Sequence, residues 1–226
     1  MRLLIGIPAY NEEKMIGVVI SSLPKRLTGV DKVDIVVVDD GSEDRTGEIA
    51  QSKRVTVLRH IINRGLGGAL KTIFAFALER NYDILVTFDA DGQHESKYIS
   101  DVIKPILSQK SDVVIGTRWK SKAHVPFSRR LINQLANVIT FILYHVWTSD
   151  SQSGFRAFNK NSINKIKLQT DGMEVSSEFF KEIKSNNLRF SEISIIPVYS
   201  DYSLEKGQRL SNAPSVMINL LLRLLR

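Results

Sequence analysis

Asp89 and Asp91 stand two residues apart where a short apolar run, Ile84 to Asp89, passes into a loop through Gly92. In that position both carboxylates can lean toward one point, and neighbouring like charges are costly until a cation neutralises them. Oxygen ligands without Cys or His suit Mg²⁺ or Mn²⁺. Gln93 offers a third oxygen, and so sparse a set leaves coordination positions for a diphosphate. An isolated D-x-D triplet is as often a turn or a helix cap. Its place at the end of a strand is what singles this one out.

The elements around it follow from hydrophobic pattern. Leu3 to Pro8, Val33 to Asp39, Val55 to Leu58, Ile84 to Asp89 and Val113 to Gly116 are short apolar runs rich in β-branched residues and bounded by turn residues, as buried parallel strands are. Helical patterns separate them: Glu12 to Leu23, Asp44 to Ser52, Leu66 to Glu79 and Ser96 to Ser108. That alternation implies βαβ units and a mostly parallel sheet with helices on both faces. Beyond Gly116 the spacing predicts a long helix over Arg129 to Trp147, a strand at Gly154 to Phe158, a helix at Glu174 to Asn186, a strand at Phe190 to Val198 and a terminal helix at Pro214 to Arg226.

Ligands of an open parallel sheet bind at the carboxyl ends of its strands. Here those ends read Pro8-Ala9-Tyr10-Asn11-Glu12-Glu13, Asp39-Asp40-Gly41-Ser42, Asp89-Ala90-Asp91-Gly92-Gln93 and Gly116-Thr117-Arg118-Trp119. Acids, an amide and an arginine are thus brought to one edge. Asp39-Asp40-Gly41-Ser42 also reads as a turn followed by an N-cap from Ser42 or Asp44, and both roles are compatible. Gly65-Leu66-Gly67-Gly68 lacks the Lys-Ser/Thr of a P-loop and follows the third strand, so it reads as a close-packed helix start and not as a nucleotide fingerprint.

Composition narrows the classes further. The chain has 226 residues, 43% of them hydrophobic, enough to bury a core without staples, and no cysteine, which excludes zinc fingers, iron–sulfur clusters and thiol catalysis. The N-terminus runs straight into a strand, unlike a signal or transit peptide. The formal charge of +7 is unevenly placed: 15 basic and 16 acidic residues up to Gly116, then 16 basic and 8 acidic from Thr117 on. Arg118, Lys120, Lys122, Arg129 and Arg130 all lie in the stretch between Asp112 and Asp150, which holds no acid. Such a region reads either as a solvated basic face or as a surface that meets phosphate or anionic lipid. Nucleic acid is a poor partner, because the cations neighbour apolar helices and not an aromatic single-strand platform.

Five ordered motifs together resemble glycosyltransferase family 2, and within it the dolichyl-phosphate mannosyltransferases and related polyprenyl-phosphate hexosyltransferases. They are Pro8 to Glu13, Val38-Asp39-Asp40-Gly41-Ser42, Asn63-Arg64-Gly65-Leu66-Gly67, Asp89 to Gln93, and Asp150-Ser151-Gln152-Ser153-Gly154-Phe155-Arg156-Ala157-Phe158. The resemblance implies an α/β GT-A fold over residues 1–212, with a nucleotide-sugar-binding half (1–116) and an acceptor-side half (117–212), followed by an amphipathic helix at 213–226. It implies metal-dependent, inverting transfer of a hexose, mannose from GDP-mannose first and UDP-glucose or UDP-N-acetylglucosamine as alternatives, to a dolichyl or polyprenyl phosphate. A binding protein of the same fold without turnover is the reading from another class.

Carried over by position, Pro8, Ala9, Tyr10, Glu12, Asp39, Asp40 and Asp89 line the nucleotide-sugar pocket. Asp89, Asp91 and Gln93 hold the metal. Arg118, Arg130, Lys206 and Arg209 meet the acceptor phosphate, the last two in a loop that departs from the family's usual Gly and Ser-Lys. Asp91, Arg118, Arg130 and Asp150 form the catalytic set. A phosphate acceptor is already an anion and needs alignment more than a base. A hydroxyl acceptor would need one, from Asp150 or Asp91; Asp150 reads equally as an acid that orients Arg156.

Leu131 to Ser149 is 19 residues without a charge, but Asn133, Gln134, Asn137, Thr140 and His145 interrupt it, against a spanning helix. It fits a core helix of the sheet or an interfacial one. Pro214 to Arg226, about 20 Å long as a helix, is too short to cross a core of roughly 30 Å and fits a membrane surface or a membrane-anchoring protein partner. The expected location is the cytoplasmic face of a membrane, held peripherally.

Overall fold

The computed structural model describes residues 1–118 and 127–198, the side chains of residues 127–130 and 132 excepted. Seven strands form one sheet in the order β3-β2-β1-β4-β6-β5-β7. They are β1 (Arg2–Ala9), β2 (Lys32–Asp39), β3 (Thr56–Arg59), β4 (Ile84–Thr87), β5 (Val113–Thr117), β6 (Arg156–Asn159) and β7 (Phe190–Ser194). The helices are α1 (Ile16–Ser22), α2 (Thr46–Ser52), α3 (Leu66–Glu79), α4 (Ile99–Leu107), α5 (Phe127–Tyr144), α6 (Lys160–Lys165) and α7 (Val175–Ser185). β1 to β4 run parallel, while β6 lies antiparallel to both β4 and β5.

Alternation along each strand makes two cores. From β1, Leu3, Ile5 and Ile7 face α1 and α4, packing with Ile16, Val19, Ile99, Val102 and Ile106. Leu4 faces the other way, into a layer with Ile73 and Phe74 of α3 and Phe179 and Phe180 of α7. A strand apolar on both faces is what a sheet sandwiched between helices requires.

The expected elements are found, with shifted ends and one addition, α6. Residues 12–15 turn before α1 begins, because the Glu12 N–H is drawn to Thr46 Oγ1 at 2.7 Å and its carbonyl accepts from Met15 and Ile16. α6 is short and starts at Asn159, whose side chain accepts from the Ser162 N–H. The 213–226 helix lies outside the described residues.

α5 bears on the core reading of the uncharged stretch. Its buried side chains are the polar ones: Asn133 and Asn137 donate to the Ser149 carbonyl, Asn137 accepts from the Ser151 N–H, and Thr140 meets Ser177. Five of its apolar side chains face out, Leu131 56%, Leu135 45%, Val138 42%, Phe141 42% and Ile142 61% exposed, while Tyr144 packs against the core. A core helix would show the reverse, so the core reading is corrected: α5 is an inside-out helix. Among the described residues no helix is long and apolar enough to cross a membrane.

The far end of the sheet is closed by Asp112, just before β5. Its buried carboxylate accepts from the Arg189 N–H and guanidinium and from Asn159, tying β5, β6 and β7 together. Hydrogen bonds from Arg189 hold its pKa well below the usual carboxylate value, against the opposing effect of burial. A depressed folded pKa means this stabilisation is complete above the unfolded value, about 4, and is lost as pH falls below it. Asp112→Ala should therefore cost about 1–3 kcal/mol near neutrality, lowering the Tm by several degrees. The difference from wild type should shrink as denaturation is followed below pH 4; a constant difference would show that the carboxylate's charge is not what matters.

Candidate active site

The D-x-D loop leaves β4 at Thr87. Phe88 and Ala90 are buried and anchor it, so Asp89 and Asp91 between them turn to the same side. Asp89 accepts a hydrogen bond from His94 Nε2 at 2.9 Å, and Asp91 Oδ1 accepts from the Gln93 N–H at 2.9 Å. Gln93 is buried, and its carbonyl accepts from the Val198 N–H. The antiparallel pairing of β4 with β6 sets Thr87 opposite Arg156, and the same register carried on sets Asp89 opposite Gly154. There is no room for a side chain at that glycine: a Cβ would lie 2.1 Å from Asp89 Oδ1.

The two acids are electrostatically unlike. Burial raises the Asp89 pKa, but the hydrogen bond and field of His94, with Arg118 and Arg156 behind, outweigh it, and Asp89 sits below its usual value. Asp91 is pushed up to about 6, first by burial and then by the charge of Asp89, with Glu12 adding to it. A carboxylate made reluctant to ionise by burial and by an ionised neighbour is a site short of positive charge. Its donors are hard oxygens, so the residues fit a Mg²⁺ or Mn²⁺ ion, with Asp89 and Asp91 the side chains that would hold it. Among the described residues no group of three or more His, Asp or Glu side chains converges on one point.

The loops after β1 and β2 are tied into one wall. The Asn11 N–H donates to Ser42 Oγ, the Glu43 N–H to Asn11 Oδ1, and the Asp40 N–H to the Ala9 carbonyl. Pro8 is half-buried, Ala9 buried and Tyr10 exposed on that wall. Asp39 is buried, accepts from the Ser42 N–H, and lies 3.4 Å from Arg59 Nε. Asp40 sits differently from its neighbour. Its carboxylate accepts from the Arg64 and Gly65 N–H groups and pairs with His60 Nδ1 at 2.6 Å, so it holds the turn that starts α3. The glycines of that turn do not cradle phosphate: the Gly67 and Gly68 N–H groups donate to the Asp171 carbonyl, and a Cβ on Gly67 would lie 2.2 Å from the Thr170 oxygen.

Across the site, Asp150 is fully buried and accepts from Arg118 through Nε at 2.7 Å, Nη2 at 2.8 Å and the backbone N–H at 3.1 Å. The acid therefore orients Arg118 and not Arg156, which corrects the sequence reading. Glu192 of β7 secures the preceding turn, accepting from Thr148 Oγ1 and from the Ser149 N–H and hydroxyl. Arg156 lies buried beneath, donating to the carbonyls of Ser151, Ser153 and Ser176, its guanidinium 4.5 Å from the Phe179 ring. Burial lowers its pKa to about 10, still leaving it charged at neutral pH. Arg130 belongs to the first turn of α5; its side chain, Lys206 and Arg209 lie outside what is described.

His94, Glu192 and the structural part played by Asp40 were not legible in the chain. His94 directly follows Gln93 in the motif, a weak signal; Glu192 sits in a strand with no motif at all. A cavity of about 740 Å³, lined by Arg2, Lys32, Asp34, Lys53, Arg54 and Tyr82 among others, is at the amino ends of the strands and includes none of these residues.

Residues 4–167 match the model of Glycosyl transferase family 2. The chain belongs to that family. It is 35% identical to a UDP-N-acetylglucosamine–dolichyl-phosphate N-acetylglucosaminyltransferase of Methanococcus voltae, over 89% of this chain and 87% of the relative. It is 34% identical to an undecaprenyl-phosphate mannosyltransferase of Micrococcus luteus, over 74% of this chain and 70% of the relative. The fold is similar to that of glucosyl-3-phosphoglycerate synthase from Mycobacterium tuberculosis, with a TM-score of 0.73 at 18% identity over 97% of this chain and 78% of the other. The protein is a glycosyltransferase of GT-A fold.

For this family member, Gly154→Ala tests the placement of Asp89. The added methyl would displace the carboxylate by about an ångström, which can cost on the order of 100-fold in turnover. Sugar transfer should fall by that order; a variant with full activity would show that Asp89 need not sit where it does.

Proposed function

We propose that the protein transfers a hexose from a nucleotide sugar to a polyprenyl or dolichyl phosphate at a membrane surface, inverting the anomeric carbon. The observation that carries this is α5, which exposes an apolar stripe while its polar face holds the turn leading to Asp150 and its partner Arg118. A lipid phosphate needs both: apolar contact for its chain and a cation for its head. Both oxygens of Asp150 are committed to Arg118, which suits an acceptor that is already an anion. Arg118, with Arg130 on the first turn of α5, orients that phosphate for attack. The nucleotide lies along the wall made by the β1 and β2 loops. Bound between Asp89 and Asp91, a divalent cation would neutralise charge on the departing diphosphate.

Mannose from GDP-mannose is the first reading of the donor, in keeping with the mannosyltransferase relative. UDP-N-acetylglucosamine is the second, favoured by the relative from Methanococcus voltae, which spans more of the chain. The site is peripheral, on the cytoplasmic face of a membrane. The 213–226 segment adds a contact with lipid or with an anchoring protein.

A panel of labelled GDP-mannose, UDP-glucose and UDP-N-acetylglucosamine offered with a polyprenyl phosphate should give a lipid-linked product from one donor, GDP-mannose. Binding of donor without product from any would favour a non-catalytic protein. Asp91→Ala should abolish transfer that depends on divalent cation, and transfer that persists in chelator would end the metal assignment. Leu135→Asp with Ile142→Asp should reduce flotation with anionic vesicles at least 10-fold, since each buried leucine or isoleucine side chain contributes about 1.5–3 kcal/mol. Unchanged flotation would remove α5 from the membrane contact.

A further inference from the structure

We propose that His94 is a positioning residue, which locks the carboxylate of Asp89 in one orientation before cation and diphosphate arrive. The inference rests on the metal-dependent reading of this site and adds a role that neither the D-x-D motif nor the family match assigns.

The ring is almost wholly enclosed, its side chain 1% exposed, between Phe88 and Phe155 at 5.9 and 5.4 Å from its centroid. Nε2 lies 2.9 Å from Asp89 Oδ2. A carboxylate that is ionised only accepts, so Nε2 carries the hydrogen and donates. Nδ1 is buried with no hydrogen-bond partner among the described residues. Half of the ring's hydrogen-bonding capacity is thus spent in an apolar sheath, where leucine or phenylalanine would pack without leaving a polar atom unmatched. What histidine supplies there and those residues lack is one donor aimed at Asp89.

The opposite side of Asp89 is closed by Gly154, whose missing Cβ is the space the carboxylate fills. A hydrogen bond on one side and a backbone on the other leave the carboxylate one way to lie. Groups that orient a metal-holding side chain in this manner typically change metal affinity 10–100-fold when removed. The aromatic rings hold the imidazole itself in place, so that its one donor stays aimed at Asp89.

The test is Mn²⁺ binding measured by electron paramagnetic resonance, with GDP and separately with UDP present, alongside the Tm. Wild type, Asp91→Ala, His94→Leu and His94→Gln are compared. His94→Leu is expected to weaken Mn²⁺ binding about 10–100-fold with a Tm equal to or above wild type. His94→Gln, whose amide nitrogen can donate from nearly the place of Nε2, is expected to recover most of that loss. Wild-type affinity in His94→Leu would overturn the proposal while leaving the metal site standing. A loss shared equally by both variants with a matching fall in Tm would make His94 a packing residue only. No Mn²⁺ binding by wild type, indistinguishable from Asp91→Ala, would overturn the metal reading and this inference together.

Discussion

Two carboxylates on one partly buried loop repel each other, and the carboxyl edge of this sheet is organised around that repulsion. Asp89 remains ionised because His94 donates to it and Arg118 and Arg156 lie behind it. Asp91 then bears the consequence, its pKa pushed up to about 6 by burial and by its neighbour. Left alone, such a pair is destabilising. A divalent cation would relieve it, which is why these hard oxygens fit Mg²⁺ or Mn²⁺.

The pairing of β4 with β6 makes the arrangement possible. An all-parallel sheet would need a crossover helix between them; the antiparallel register instead brings Gly154 directly opposite Asp89 and sets Arg156 beneath it. The same chain segment carries Asp150, whose three hydrogen bonds from Arg118 fix that guanidinium in place. One short stretch, 150–156, thereby shapes the surroundings of both Asp89 and Arg118. Glu192, on the neighbouring β7, keeps that stretch in place through Ser149.

Polarity is inverted in α5, and the inversion has a structural cause. The 148–151 turn exposes carbonyl and N–H groups toward the helix, and Asn133 and Asn137 satisfy them. A helix with apolar residues on that face would have left those groups unmatched, at a cost comparable to the loss of a hydrogen bond each. The apolar residues are consequently turned outward, toward whatever covers them.

Much of the architecture was legible in the chain, since short continuous apolar runs and the helical stretches between them are local patterns. The bounds of α3 follow from composition alone, and five ordered motifs were enough to indicate the family. The partners of buried charges were not legible. Asp150 pairs with Arg118, 32 positions away, and not with the nearer Arg156, whose guanidinium goes to three backbone carbonyls. Asp39 and Asp40, adjacent in the chain, point to different tasks because successive residues leaving a strand face opposite sides. The sequence by itself determined which residues reach the carboxyl edge; only the tertiary structure decided which of them face the cleft and which hold the loops, since that depends on pairings between segments far apart in the chain.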